Sequence, residues 1–350
     1  MKAKHAFYWI IAIGILTFGV FYFGWEEVLT TLKKADPLIT GGLILLKLVT
    51  LFLVAYRWQY LLKKSNQNIS LHLAMLINLG GTFVEGVTPS ARLGGEATKI
   101  YLFHRHTSLS YSNLAGVLLT LKYFSLMPFL VIVITAFVLG FLRYPLPYTF
   151  FLALLFLILF FITLALIHHL GGKNEIIEES AGVEQTSKTE AEERTIPKGL
   201  LHRILYFIQN KVSALINFIH RSSVHSRSIV NTSERINLII VSTLIWLLYP
   251  LKVYIVTYML GFNIDIITVF IIAFTSYLVS LLPLLPGGLG LYEGSMLFMF
   301  SIAGYSPAEG LAVALLSRLI IYWFPLLLSA FATAYLAISH NNKSIVKNNP

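Results

Sequence analysis

Pro286-Gly287-Gly288-Leu289-Gly290-Leu291-Tyr292-Glu293 interrupts a run that is otherwise apolar from Ile266 to Ala303. A membrane helix tolerates neither three clustered glycines nor a carboxylate well. Backbone released at membrane depth must be buried in protein or line a wet cavity. A carboxylate there is costly and marks a functional candidate. The chain holds a second copy, Pro89-Ser90-Ala91-Arg92-Leu93-Gly94-Gly95-Glu96, with the same proline-to-glutamate spacing of seven.

A shift of 197 residues carries Pro89 to Pro286, and it holds without a gap for some forty residues. It takes Glu96 to Glu293, Phe103 to Phe300, Thr120 to Ser317 and Pro128 to Pro325. Leu114, Ala115, Leu118 and Leu119 fall on Leu311, Ala312, Leu315 and Leu316. Leucine matches carry little weight in apolar sequence, so the two prolines and the glutamate decide. Paired broken segments in two halves are the sequence mark of many transporter folds, whose site lies between the repeats.

Composition agrees. Of 350 residues, 57 % are hydrophobic and 12 % charged, and the mean hydropathy is +0.76. That is an integral membrane protein. The net charge of +10 reads as lysine and arginine in cytoplasmic loops and at the lipid surface, not as a nucleic-acid interface. With no cysteine there is no disulfide framework and no thiolate chemistry.

Hydropathy and charge bias divide the chain in order. Residues 1–167 form a first membrane half: full spans near 6–24 and 38–56, a re-entrant hairpin near 71–105, then spans near 114–140 and 148–167. Residues 168–236 form a cytoplasmic loop. Its Glu-, Lys- and Ser-rich part over 171–198 reads as disordered linker. Leu200, Leu201, Ile204, Leu205, Ile208, Val212 and Leu215 recur at helical spacing, giving an amphipathic helix over 199–220. Residues 237–340 form the second half: a span near 237–260, a hairpin near 266–303 and a span near 308–338. Residues 341–350 are a cytoplasmic tail. Three spans separate the hairpins, and an odd number inverts the second copy. The expected fold is thus all-α and polytopic: two inverted-topology repeats, about six full spans and two re-entrant hairpins around a central cavity. It would sit in the plasma membrane with both termini cytoplasmic.

The candidate site follows. Glycines let helices approach closely, and half-helix N-termini offer N–H groups to an anion such as phosphate. Lys122 and Arg318 follow Glu96 and Glu293 by 26 and 25 residues, at equivalent depth on the next span. A lone charge there is costly, so Glu96–Lys122 and Glu293–Arg318 pairs are expected. Either the pairs fix packing, or the cations hold a lipid phosphate while the carboxylates receive a cationic headgroup or a proton. Glu85, one turn before the first break, is a similar case. Arg92 and Lys99 read equally as inner-leaflet anchors, and Lys47 and Lys252 as snorkelling or structural. Pro89, Gly94, Gly95, Pro286, Gly287, Gly288 and Gly290 complete the substrate-binding set. No P-loop, H-E-x-x-H or G-x-S-x-G motif is present, so catalytic residues, metals and cofactors are not expected.

The elements Pro89…Gly94-Gly95-Glu96, Leu285-Pro286-Gly287-Gly288-Leu289-Gly290…Glu293 and Ala314-Leu315-Leu316-Ser317-Arg318-Leu319 together resemble a flippase-like family. This is the membrane region of lysylphosphatidylglycerol synthases and its stand-alone relatives. The resemblance covers nearly the whole chain except the loop. It implies inverted repeats around a lipid-sized cavity, with Glu85, Pro89, Arg92, Glu96, Glu293 and Arg318 facing it. It also implies moving or binding lipids with aminoacylated, anionic or polyprenyl-linked headgroups. Many relatives carry Glu-Arg where this chain has Leu121-Lys122, which weakens transfer of a role to Lys122. The bifunctional synthases add a tRNA-using domain, and none is expected within this sequence. The partners expected are membrane lipids and no nucleic acid. The alternatives are a membrane subunit for a separate lipid-modifying synthase or glycosyltransferase, and an embedded transferase using Glu85, Glu96 or Glu293 as general base.

Overall fold

The computed structural model describes residues 25–88, 93–143, 155, 158–163, 165–166, 217–282 and 284–347. Among them every regular element is helical. A short α1 (Trp25–Leu32) leads to α2 (Pro37–Lys64). Asp36 starts α2 by accepting from the Leu38 and Ile39 N–H groups at 2.7 and 3.2 Å, and Pro37 occupies the first turn, where its missing N–H is harmless. Then come α3 (Leu71–Val87), α4 (Leu93–His106) and the long α5 (Tyr111–Arg143). After the loop, α6 covers residues 217–228 and α7 Thr232–Met259.

The second broken segment is α8 (Ile266–Ser280), a 3₁₀ turn at Pro286–Gly288 and α9 (Leu291–Ile302). Asp265 caps α8 through the Ile267 and Thr268 N–H groups. Finally α10 (Pro307–Arg318) passes through a π turn at Leu319–Trp323 into α11 (Phe324–Lys347).

Among the described residues four helices are long and apolar enough to cross a membrane: Pro37–Lys64, Tyr111–Leu142, Thr232–Met259 and Pro307–Ile338. With the shorter apolar α3 and α8, this is the architecture of a polytopic membrane protein. Each of the four overlaps a span expected from hydropathy. The expected span at 6–24, the linker at 171–198 and most of the amphipathic helix at 199–220 lie outside the described residues. So does the 148–167 span, apart from short stretches that are helical.

Among the described residues two large apolar clusters organise the packing, with a small third at Val28, Ala308, Leu311 and Ala312. One surrounds the α3–α4 hairpin and includes Trp58, Leu61, Ile77, Phe103, Leu114 and Val117; Trp58 stacks on Phe103 with ring centroids 4.6 Å apart. The other surrounds α8 and α9 and includes Phe129, Val269, Phe274, Met296, Phe300 and Val313. The halves interlock: α11 runs along α3, α2 along α7, and α5 against α7 and α8. Polar groups between the halves find partners, as buried groups must in a medium without water. Arg57 Nη1 donates to Ser242 Oγ at 2.8 Å, Lys252 Nζ to Thr50 Oγ1 at 3.1 Å, and Trp246 Nε1 to the Ser125 carbonyl at 2.8 Å.

Candidate functional site

The α3–α4 hairpin is held at backbone distance by two glycines. A Cβ built on Gly95 would lie 2.6 Å from the Gly81 carbonyl oxygen, and one on Gly81 would lie 2.8 Å from the Gly95 carbonyl oxygen. No side chain fits there. The Lys99 stem crosses Gly81, and Glu85 lies against Gly95. This contact places Glu96, in the first turn of α4, beside Lys99 and opposite Lys122 on α5. Glu96 Oε1 accepts from Lys122 Nζ at 2.5 Å and from Lys99 Nζ at 3.3 Å. Gly94 contributes its carbonyl to Thr98 Oγ1. Pro89 and Arg92 lie outside the described residues.

The second hairpin turns differently. Gly287, Gly288 and Gly290 all have positive φ, at 59°, 64° and 78°, a region L-residues avoid. Gly290 then starts α9, and Glu293 Oε2 accepts the Gly290 N–H at 2.7 Å. The carboxylate thus caps its own half-helix. Its other oxygen, Oε1, accepts from Arg318 Nε at 2.9 Å. Arg318 Nη1 and Nη2 donate to the Gly287 and Gly288 carbonyls at 2.9 and 2.7 Å. Tyr292 and Tyr322 flank the guanidinium, with ring centroids 4.5 and 4.9 Å away. Every nitrogen of Arg318 is engaged, and its side chain is 8 % exposed. Pro286 is buried beside it.

Both expected ion pairs therefore form, in different settings. The expectation that each half-helix N-terminus stands open to an anion is not met in the second hairpin, because Glu293 fills that end of α9. Lys99, read as compatible with an inner-leaflet anchor, is 6 % exposed; Gly81 supplies the space its stem occupies.

Tyr322 is the residue the sequence reading missed. The π turn displaces this stretch of helix and aims the ring between the hairpins. Its hydroxyl donates to the Gly86 carbonyl, at the end of α3, at 2.9 Å. Its ring fills the space where a Gly287 side chain would stand. The available signal was an aromatic residue one turn after a buried arginine. Insertions of this kind concentrate at functional sites. Gly287→Ala is expected to destabilise the protein by about 1–3 kcal/mol through backbone strain and overpacking. Adding Tyr322→Ala should relieve the steric part, so the double variant melts above the sum of the two single losses. Strict additivity in detergent thermal melts would refute that contact.

Beside Tyr322 lies an apolar cavity of about 530 Å³, within the size range of small-molecule sites. Ile44, Phe83, Val87, Leu319, Trp323 and Leu327 line it; the charged residues do not. Leu319 and Leu327 are exposed, so the cavity is open to the surface. Among the described residues no group of three or more His, Asp or Glu could hold a metal ion.

Residues 9–329 match the family described as the lysylphosphatidylglycerol synthase TM region. The chain belongs to this family. Within it, the chain is similar to a UPF0104 membrane protein of Methanothermobacter thermautotrophicus, 25 % identical over 353 aligned positions that cover 99 % of this chain and all of the relative. A UPF0104 membrane protein of Pyrococcus horikoshii is 24 % identical, covering 91 % of this chain and 93 % of the relative. One from Methanocaldococcus jannaschii is 23 % identical, covering 89 % and 88 %. The family is one of membrane proteins, and its name ties it to lipid chemistry.

Proposed function

We propose that this protein moves polar-headgroup lipids between leaflets, as a transporter of two inverted repeats in the plasma membrane with cytoplasmic termini. The observation that carries the reading is the pairing of two glycine-broken hairpins. Each holds a glutamate bonded to a cation on the following long helix, and the two meet at Tyr322 beside an apolar cavity.

The element bounds support the repeat. Shifted by 197, α2 lands on 234–261, against Thr232–Met259 for α7. Shifted α3 lands on 268–284, against Ile266–Ser280, and shifted α4 on 290–303, against Leu291–Ile302. Shifted α5 lands on 308–340, against the continuous run of α10, the π turn and α11. The re-entrant reading rests on length: α4 and α9 have 14 and 12 residues, too few to cross a core of about 30 Å at 1.5 Å per residue. Lys122 and Arg318 lie roughly 17 Å into their helices, near mid-membrane depth. On this reading the headgroup enters the polar hairpin region, an acyl chain rests in the apolar cavity, and the repeats rock about their shared contact at Tyr322.

The test is lipid translocation in proteoliposomes, with headgroup-labelled phosphatidylglycerol, lysylphosphatidylglycerol and phosphatidylethanolamine compared against empty vesicles. Faster movement of one headgroup class is the expected result. No movement above empty vesicles, with or without a proton gradient, would remove the autonomous flippase reading. Co-purification with a separate lipid-modifying synthase or glycosyltransferase would then be the next experiment.

A further inference from the structure

The two ion-paired clusters differ in what they leave unused. Around Glu293, each nitrogen of Arg318 has an acceptor, both carboxylate oxygens are bonded, and the pair is buried. Around Glu96 the balance is different. Lys122 and Lys99 each spend one donor on the same oxygen, Glu96 Oε1, and an ammonium has three. Glu96 Oε2 is buried without a hydrogen-bond partner. Arg57 lies within electrostatic reach of Glu96. Its Nη1 is held by Ser242 Oγ, but its Nε is buried with no acceptor.

Lys99 and Lys122 thus contact one carboxylate, with Arg57 at longer range and Glu85, against Gly95, the other acid close by, so positive charge is in excess beside a mostly buried carboxylate. Spare donors and excess charge of this kind are expensive unless a further acceptor joins them. The cluster also has an entrance. The Lys122 side chain is 46 % exposed, whereas that of Arg318 is 8 % exposed. Among the described residues the Glu293–Arg318 pair has no such opening, and its two charges balance one to one.

We infer that the first half alone binds the anionic part of the ligand: a phosphate group is held by Lys122, Lys99 and Arg57, with Glu96 as the internal anion it displaces. Arg318 and Glu293 are the fixed wall against which this site works. The inference rests on the lipid-transport reading for the source of the phosphate, but the site itself takes a phosphodiester of a lipid or a free phosphate by the same chemistry. Glu96 partly neutralises the two lysines before the phosphate arrives. The incoming phosphate takes over their donors and supplies an acceptor for Arg57 Nε.

The experiment is ligand binding to purified full-length protein in a non-ionic detergent, followed by thermal shift and by calorimetry. The probes are dioctanoyl phosphatidylglycerol, dioctanoylglycerol (the same tails without phosphate) and inorganic phosphate. Wild type should bind the phosphatidylglycerol at least tenfold more tightly than dioctanoylglycerol. Lys122→Met should abolish that preference and Lys122→Arg should keep it, since a guanidinium also serves phosphate. Glu96→Gln should bind phosphatidylglycerol about tenfold more tightly than wild type, because the internal competitor is gone. A purely structural Glu96 would not tighten binding. Lys33→Met, at an exposed position just after α1, should behave as wild type. Equal binding of the two lipids, or a preference that survives Lys122→Met, overturns the phosphate site while leaving lipid binding intact. Binding of inorganic phosphate alone, lost in Lys122→Met, keeps the anion site and overturns the lipid source. No binding of any probe overturns both.

Discussion

Arg318→Ala is expected to be the most damaging single substitution in the chain, lowering stability by about 3–5 kcal/mol. Three losses coincide. Glu293 is left as a buried carboxylate without its cation. The Gly287 and Gly288 carbonyls lose their donors in a region where water does not replace them. Tyr292 and Tyr322 face a void where the guanidinium stood. Arg318→Lys should recover little, because a single ammonium cannot reach a carboxylate and two carbonyls in the forked geometry of a guanidinium.

Glu293→Gln should be milder. Its amide oxygen still accepts the Gly290 N–H, and Arg318 keeps both carbonyls. The decisive variant is Arg318→Met with Glu293→Met. Removing both charges avoids the orphaned ion, so the double variant should be more stable than Arg318→Ala alone. Melts in detergent, followed by tryptophan fluorescence, give the comparison. An Arg318→Ala protein within about 1 kcal/mol of wild type would mean that the guanidinium does not hold the glycine turn.

The contrast between the pairs shows how far residue order carries the reading. A glutamate after a glycine break and a cation some 25 residues later sufficed to anticipate Glu96–Lys122 and Glu293–Arg318, because depth in a membrane follows from position along a helix. The four long helices were legible for the same reason. Azimuth was not. Lys99 read equally as an inner-leaflet anchor, yet it is buried over Gly81, and nothing in residue order brings Arg57 to Ser242 across the halves.

The one-residue offset between the pairs was also visible without its meaning. The shift of 197 carries Arg318 back to Leu121, not to Lys122. A neighbouring position on a helix points about 100° away. That turn accompanies a buried cation in one half and a half-exposed one in the other. The π turn and the placement of Tyr322 leave no trace in hydropathy, since an inserted residue changes helix register and not composition.

The second large effect concerns the glycines of the first hairpin. Gly95→Ala is expected to destabilise by about 1–3 kcal/mol, because its Cβ would meet the Gly81 carbonyl oxygen at 2.6 Å and the Glu85 Cβ at 2.8 Å. Neither is the free end of a flexible chain, so relief requires α3 and α4 to separate. Gly80→Ala, one residue from the contact, meets the ends of side chains alone, the tightest being the Leu102 Cδ1 at 3.2 Å, and should be tolerated. Gly294→Ala meets nothing within 4 Å and should stabilise α9 by up to about 1 kcal/mol through helix propensity. This ordering separates close approach from a general intolerance of substitution; a Gly294→Ala loss equal to that of Gly95→Ala would defeat it. Gly81→Ala adds a functional readout. Its Cβ would stand 2.5 Å from the Lys99 Cγ, so the lysine stem must move even where the hairpin holds. Gly81→Ala should therefore weaken phosphatidylglycerol binding by more than Gly80→Ala does. The bare hairpin contact is then what positions the Lys99 ammonium beside Glu96, and the glycines act on the ligand through the lysine they make room for.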